Sequence, residues 1–333
     1  MNNAFIKAIE YHIPEKLVSN ESLAELFPDW DAEKIYSKLG IRKRYIAEDD
    51  QKASDLAVLA AEKLFGKNTI DRNTIDYVIY CTQSPDYFLP TTACIIQDKL
   101  GLPTHCGAID INQGCSGYVY GLGLAKGLIA GGIAKNILFL TAETYSKYIH
   151  PTDKSNLTIF GDAGTATLIS NNGLFEIENM YFGTDGKGAE NLIVENGGAR
   201  NKSTKEEVLT EGEYNPKDYL YMDGPEIFNF TLYTLPQILK NTLEKNNIEK
   251  EDVDYFIFHQ ANKYLLDTLQ KKLKVPAEKY YNNIEDTGNT VSCTIAIALK
   301  NTIDNGILQP ENKILLAGFG VGYSWGGCVI TKK

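Results

Sequence analysis

A chain of 333 residues with 43% hydrophobic content is long enough for two domains, or for one domain built of two similar halves. A net charge of −10 argues against the basic face that nucleic-acid binding needs, and no run of about 18 apolar residues is available to span a membrane. The first residues, Met1-Asn2-Asn3-Ala4-Phe5, lack the charged start and apolar core of a signal peptide, so residence in the cytoplasm is the expectation. Six cysteines (81, 94, 106, 115, 293 and 328) are scattered without a C-x-x-C pair, which predicts free thiols rather than a metal site or a disulfide framework.

In chain order, apolar periodicity predicts a helix over 54–64, a strand over Tyr77–Cys81, a helix over 92–100 and a strand over 108–111. A helix over 116–129 and strands over 137–141 and 165–169 follow. The polar stretch 196–218 reads as a surface excursion. Then come a helix over 226–243, a strand over Tyr255–Phe258, helices over Lys263–Leu273 and 290–303, and a strand over 314–317. Strands separated by helices of this length predict an α/β fold with mainly parallel sheets.

The chain also resembles itself. Residues 70–80, from Ile70 through Asp76-Tyr77 to Tyr80, are echoed by residues 248–258, from Ile248 through Asp254-Tyr255 to Phe258, at an offset of 178 residues. Ile137-Leu138-Phe139-Leu140 is echoed by Ile314-Leu315-Leu316-Ala317 at 177, and Gly114-Cys115-Ser116 by Gly288-Asn289-Thr290 at 174. Three collinear matches predict a duplicated α/β unit, with halves 1–172 and 173–333 meeting near 171–173.

Cys115 follows a predicted strand and opens a glycine-rich, apolar helix, where unpaired N–H groups and the helix dipole favour a thiolate. Its other reading is a small core residue. His259 closes the strand Tyr255–Phe258, at the carboxyl end where open α/β sheets bind ligands, and can donate a hydrogen bond or carry a proton there. A capping or core histidine is the alternative. Asn289 is the repeat-mate of Cys115; without the repeat, Gly-Asn-Thr would read as a turn and helix cap. The duplication brings the three side chains together.

Further motifs extend this set: Gly40-Ile41-Arg42-Lys43-Arg44, Pro151-Thr152-Asp153, Phe160-Gly161-Asp162-Ala163-Gly164, His259-Gln260-Ala261-Asn262 and Gly318-Phe319-Gly320-Val321-Gly322. In this order and over nearly the whole chain, they resemble the β-ketoacyl-acyl-carrier-protein synthase III branch of the thiolase superfamily. The resemblance implies a five-layer αβαβα sandwich of two similar halves and a homodimer. It implies that Cys115 is acylated, that His259 and Asn289 bind the carbonyl of a malonyl thioester, and that Phe319 is the aromatic gate. The backbone N–H groups of Cys115 and Val321 would form the oxyanion hole. An acyl carrier protein and an acyl-CoA would be the partners, with no permanently bound cofactor or metal, in fatty acid biosynthesis.

The departures fall on binding positions. Lys34 and Lys38 stand where the family has a tryptophan and an arginine for coenzyme A, and Lys154 stands for an arginine after Pro-Thr-Asp. Lysine keeps the charge but loses stacking and the bidentate fork. Gly224 is a further expected substrate-binding position. Leu89 replaces the phenylalanine that bounds the primer pocket. Tyr264 replaces a carrier-docking arginine, leaving Lys263, Lys271 and Lys272 as the expected docking charges. These changes suggest a second reading, a same-fold acyltransferase of a polyketide, quinolone or surface-glycan route. A non-catalytic partner subunit fits less well, because all three reactive residues are present.

Overall fold

The computed structural model describes residues 2–68, 70–205 and 214–333. The first half runs β1 (Phe5–His12), β2 (Lys16–Ser19), α1 (Asn20–Leu26), α2 (Ala32–Leu39), β3 (Lys43–Ile46) and α3 (Ala53–Asn68). It continues through β4 (Tyr77–Cys81), α4 (Thr92–Lys99), β5 (Gly107–Ile111), α5 (Gly117–Ala130), β6 (Asn136–Glu143), α6 (Lys154–Leu157) and β7 (Ala163–Ser170). The second half holds β8 (Phe175–Thr184), β9 (Leu192–Ile193), β10 (Tyr221–Met222), α7 (Gly224–Asn246) and β11 (Tyr255–Phe258). It ends with α8 (Lys263–Leu273), α9 (Thr294–Asp304), β12 (Lys313–Gly320) and β13 (Ser324–Lys332).

The principal sheet has the order β11-β12-β13-β8-β1-β7-β6-β4-β5. β8 and β1 touch only where Phe5 and Ile6 meet Glu176 and Phe175, so the sheet divides there into an N-terminal and a C-terminal part. The duplication is visible in the pairing: Tyr77 sits opposite Ile137 in parallel β4 and β6, as Tyr255 sits opposite Ile314 in parallel β11 and β12. The partner of β5 in the second half is reduced to a single bridge from Phe256 to Tyr280.

Mainly parallel pairing is not what the chain does. β1, β7, β8 and β13 pair antiparallel and fill the middle, while parallel pairs occupy the two ends. The first four residues of β8 alternate buried with half-exposed positions, as antiparallel strands can, and β1 carries Lys7 and Glu10 among its apolar residues, so neither shows the continuous apolar run of β4 or β12.

Three apolar cores stack the layers. Ala60 and Leu64 of α3 meet Val78 and Leu138 on one side of the N-terminal sheet part. α5 and α9 form the middle layer, where Leu122 and Leu299 share a core with Ile79, Phe139, Ile257 and Leu316 from both sheet parts. α7 and α8 cover the other side through Leu235, Ile238 and Leu266, packed on Phe256, Leu315 and Val329. α5 fits between the sheet parts because Gly121 lies against the Phe139 ring, where a Cβ would collide. The helix expected over 290–303 begins later: residues 291–293 form a 3-10 turn with Val291 at φ 54°, and α9 starts at Thr294. Of the expected excursion 196–218, residues 206–213 lie outside the described residues. Its ends are pinned by buried Asp218, which accepts from Thr204 N at 2.9 Å and Asn196 Nδ2 at 3.1 Å.

Candidate active site

Cys115 leaves the turn after β5, where Gly117 N donates to Gly114 O at 2.7 Å and starts α5. The facing loop after β12 is tied to this turn through Ser324, whose hydroxyl lies 2.7 Å from Ser116 Oγ, 3.0 Å from Gln113 Oε1 and 2.9 Å from Val321 O. Gly320 packs so closely that a Cβ there would sit 3.0 Å from the Cys115 sulfur. The backbone N–H groups of Cys115 and Val321 both point at that sulfur.

The thiolate expected from the helix start is not the resting state. Burial, reinforced by the Glu143 carboxyl, pushes the Cys115 thiol up to about 12, against the opposing pull of those two N–H groups. A helix terminus stabilises a thiolate only where solvent or a cation also reaches it.

The His259-Gln260-Ala261-Asn262 run divides its labour. His259 continues the parallel ladder, its N–H donating to Ala317 O at 2.8 Å, and turns its ring into the cavity edge-on to Phe319, with centroids 5.8 Å apart. Gln260 holds the neighbouring loop by accepting from Asn283 N at 3.1 Å, and Asn262 caps α8 through Leu265 N at 2.8 Å. Burial depresses the imidazole to about 3, so His259 is neutral at physiological pH. Its Nδ1 lies 2.7 Å from the Thr294 hydroxyl at the start of α9.

Asn289 is clamped by its backbone, donating to Ile159 O at 2.9 Å and accepting from Gly161 N at 3.0 Å. Its Oδ1 accepts from Val291 N at 2.9 Å, so the side chain offers its amide N–H groups as donors. The left-handed Val291 makes this bond geometrically available. A β-branched residue there costs about 1–3 kcal/mol, which the surrounding core must offset.

Cys115, His259, Asn289, Phe319 and Gly224 line one cavity of about 440 Å³. The other expected binding positions lie elsewhere. Leu89 is not in this wall; it is 82% exposed beside Phe88 at 88%, on the loop between β4 and α4. Lys34 is exposed and paired with Asp31 at 3.3 Å. Lys38 lies over the Trp30 ring at 5.5 Å, and Lys154 lies over Phe27 at 5.2 Å while pairing with Asp29 at 3.3 Å. Lys263 is tied to Asp267 at 2.5 Å and rests its stem on Gly40, so it offers little free charge, whereas Lys271 and Lys272 are exposed in the last turn of α8. Tyr264 lines the cavity and stacks on Phe228 with centroids 5.6 Å apart.

Sequence reasoning missed two residues here. Trp30 lies four positions before Lys34, out of register with the family's tryptophan, yet under Lys38. Glu143 closes β6 inside an apolar run and is fully buried, accepting from Ser292 Oγ at 2.8 Å, Ser84 Oγ at 3.1 Å and Gln83 N at 3.1 Å. Burial pushes its carboxyl up to about 8, and it links the turn after β4 to the start of α9. The one sequence sign was an acidic residue directly after the apolar stretch 137–142, which alone does not distinguish it from an ordinary strand end.

Two like α/β halves, with a cysteine opening one central helix and an asparagine preceding the other, define the class: a thiolase-like acyl-transfer enzyme. Residues 109–186 match the family 3-oxoacyl-[acyl-carrier-protein] synthase III, and residues 243–332 match its C-terminal counterpart. The chain is 38% identical over 331 residues to the β-ketoacyl-[acyl-carrier-protein] synthase III of Clostridium perfringens strain SM101, covering 99% of each. It is 35% identical to that of Lactococcus lactis subsp. cremoris strain MG1363, covering 99% of this chain and 100% of that one. A crystal structure of a 3-oxoacyl-(acyl-carrier-protein) synthase III superposes with a TM-score of 0.94 at 46% identity, covering 98% of this chain and 99% of that one. The chain belongs to the β-ketoacyl-acyl-carrier-protein synthase III family.

Proposed function

We propose that this enzyme transfers an acyl group from acyl-CoA to Cys115 and condenses it with malonyl-acyl-carrier-protein, initiating fatty acid synthesis. The observation that carries the reading is the single cavity in which the Cys115 thiol meets the imidazole of His259 and the amide of Asn289. In the first step the Cys115 sulfur attacks the thioester carbonyl, and its proton ends on the coenzyme A sulfur. The N–H groups of Cys115 and Val321 stabilise the tetrahedral oxyanion. In the second step malonyl loses carbon dioxide, and the enolate oxygen takes hydrogen bonds from His259 and Asn289. The enolate carbon attacks the acyl carbonyl, and Cys115 departs as a thiolate and takes up a proton from solvent, which its high affinity for protons favours. No strong base is required, in keeping with a neutral His259.

For His259 to donate from Nε2, the Thr294 hydroxyl must donate to Nδ1 at 2.7 Å rather than to Val291 O at 3.1 Å. Thr294→Val should therefore slow condensation about tenfold, the worth of one hydrogen bond, while Thr294→Ser retains the rate. Equal condensation rates in the Val and Ser variants would remove this role.

In this reading coenzyme A lies across the Trp30–Lys38 and Phe27–Lys154 pairs, which supply stacking faces and phosphate-directed charge, and Leu157 packs against both this cluster and the one that holds Cys115. Lys271 and Lys272 are the charges offered to an acidic carrier protein. The exposed tip Tyr87-Phe88-Leu89 is the face for a second copy in a homodimer, through which Leu89 would reach a neighbouring primer pocket. The cytosol is the place of work. Purified enzyme given acetyl-CoA and malonyl-acyl-carrier-protein should release carbon dioxide and form acetoacetyl-carrier-protein; release of free acetate with no condensed product would overturn the reading.

A further inference from the structure

We propose that Ser324 is a positioning residue of the reaction: its hydroxyl sets the spacing of the two backbone N–H groups that hold the oxyanion, and through them the rate of both half-reactions. The inference rests on the reading that Cys115 carries the acyl group and that the N–H groups of Cys115 and Val321 receive its carbonyl oxygen. Those two donors belong to different segments. Cys115 lies in the turn between β5 and α5, whereas Val321 lies in the hairpin loop 321–323 between β12 and β13. An oxyanion hole works by preorganisation, and a misplacement of about 1 Å can cost about 10²-fold in rate. Whatever joins the two segments therefore decides how well the pair of donors is set.

The join is built from buried hydroxyls. Ser324 opens β13 directly opposite Gly320, the last residue of β12, and is 3% exposed. Its Oγ lies 2.7 Å from the Oγ of Ser116, the fully buried residue that follows Cys115. Ser324 is the nearer partner for the Ser116 proton, with Gln113 Oε1 farther off at 3.3 Å. The single proton of Ser324 is divided between Val321 O at 2.9 Å and Gln113 Oε1 at 3.0 Å. Ser324 thus accepts from the nucleophile turn and donates to the carbonyl of the residue whose N–H completes the hole. No side chain separates the segments: a Cβ on Gly318 would sit 2.8 Å from Cys115 O and Ser116 Cα. The outer side of the loop is fixed independently, since Tyr323 exchanges backbone hydrogen bonds with Asp185 at 2.8 and 3.0 Å and stacks on Phe230 with centroids 3.9 Å apart. On the side toward Cys115 the Ser324 hydroxyl supplies the polar tie. His259 and Asn289 are held through bonds that do not involve Ser324, so loosening this bridge leaves the enolate donors in place.

The test measures, each in a single turnover, acetylation of Cys115 by acetyl-CoA and discharge of the preformed acetyl-enzyme by malonyl-acyl-carrier-protein, in wild type and in Ser324→Ala, Ser324→Thr and Ser116→Ala. Ser324→Ala should slow both steps by about tenfold, the worth of one hydrogen bond, while the acetyl-CoA concentration giving half the maximal rate stays within about twofold of wild type. Ser324→Thr keeps the hydroxyl and should retain both rates. Ser116→Ala breaks the bridge from the other side, should slow both steps by about threefold, and serves if the Ser324→Ala chain does not fold. The joint loss separates this role from that of His259, whose removal slows condensation far more than acylation. The proposal is overturned if folded Ser324→Ala keeps either rate, if its loss lies wholly in the half-maximal concentration, or if Ser324→Thr is as slow as Ser324→Ala. A lowered denaturation midpoint with unchanged rates would likewise overturn it, leaving Ser324 a structural residue. Failure of wild type to take up acetyl on Cys115 would instead bring down the condensing-enzyme reading, and this proposal with it.

Discussion

Purified His259→Ala enzyme is expected to accept an acetyl group on Cys115 within about tenfold of the wild-type rate, yet to condense about 10²–10³-fold more slowly. The difference follows from where charge develops. On the proposed mechanism, acylation places its oxyanion against the N–H groups of Cys115 and Val321, which the substitution leaves in place. On the same proposal, condensation builds an enolate against His259 and Asn289, and one of those two donors is gone. The pH profile carries the same logic. An imidazole depressed to about 3 is neutral above that value, so its protonation cannot produce a limb near the ordinary 6.5. For stability the sign is the usual one for a depressed group: the neutral buried ring contributes above pH 6.5, and that contribution is lost as pH falls toward 3. A condensation limb centred near 6.5 that disappears in His259→Asn would contradict this assignment.

Arg44→Ala is expected to cost about 3–5 kcal/mol of folding stability, visible as a lowered denaturation midpoint. The guanidinium is fully buried, and burial lowers it to about 10, so it stays charged in the physiological range. Its partners are Asn20 Oδ1 and Thr158 O, both at 2.9 Å, with Val18 O at 3.4 Å. Alanine keeps the Cβ against which Gly161 and Gly288 rest, but it would leave these acceptors buried without their donor and open a void where the rest of the side chain lay. Arg44→Lys loses the planar fork and should lie between. An unchanged midpoint in Arg44→Ala would refute the bracing role.

Much of this was legible before any coordinates. Tyr77–Cys81, Tyr255–Phe258 and Lys263–Leu273 stand where periodicity placed them, because each is a strong apolar run or a clean amphipathic stripe. The repeat foretold the matched β4–β6 and β11–β12 pairings. Antiparallel β1, β8 and β13 were missed: Lys7, Glu10 and Glu178 interrupt the first two, and paired glycines thin the third. The start of α9 was missed because Val291 adopts a conformation its side chain disfavours, held by tertiary contacts. The protonation of Cys115 was misjudged because a helix start is visible in sequence, whereas burial beside Glu143 is a product of the assembled layers.

The central claim is that Cys115 holds the acyl group between two half-reactions, and peptide mass spectrometry after exposure to acetyl-CoA tests it most directly. The account predicts one acetyl mass on the peptide containing Cys115, none in Cys115→Ala, and its discharge when malonyl-acyl-carrier-protein is added. Acetyl on another residue, or a Cys115 adduct that malonyl-acyl-carrier-protein leaves untouched, would contradict it.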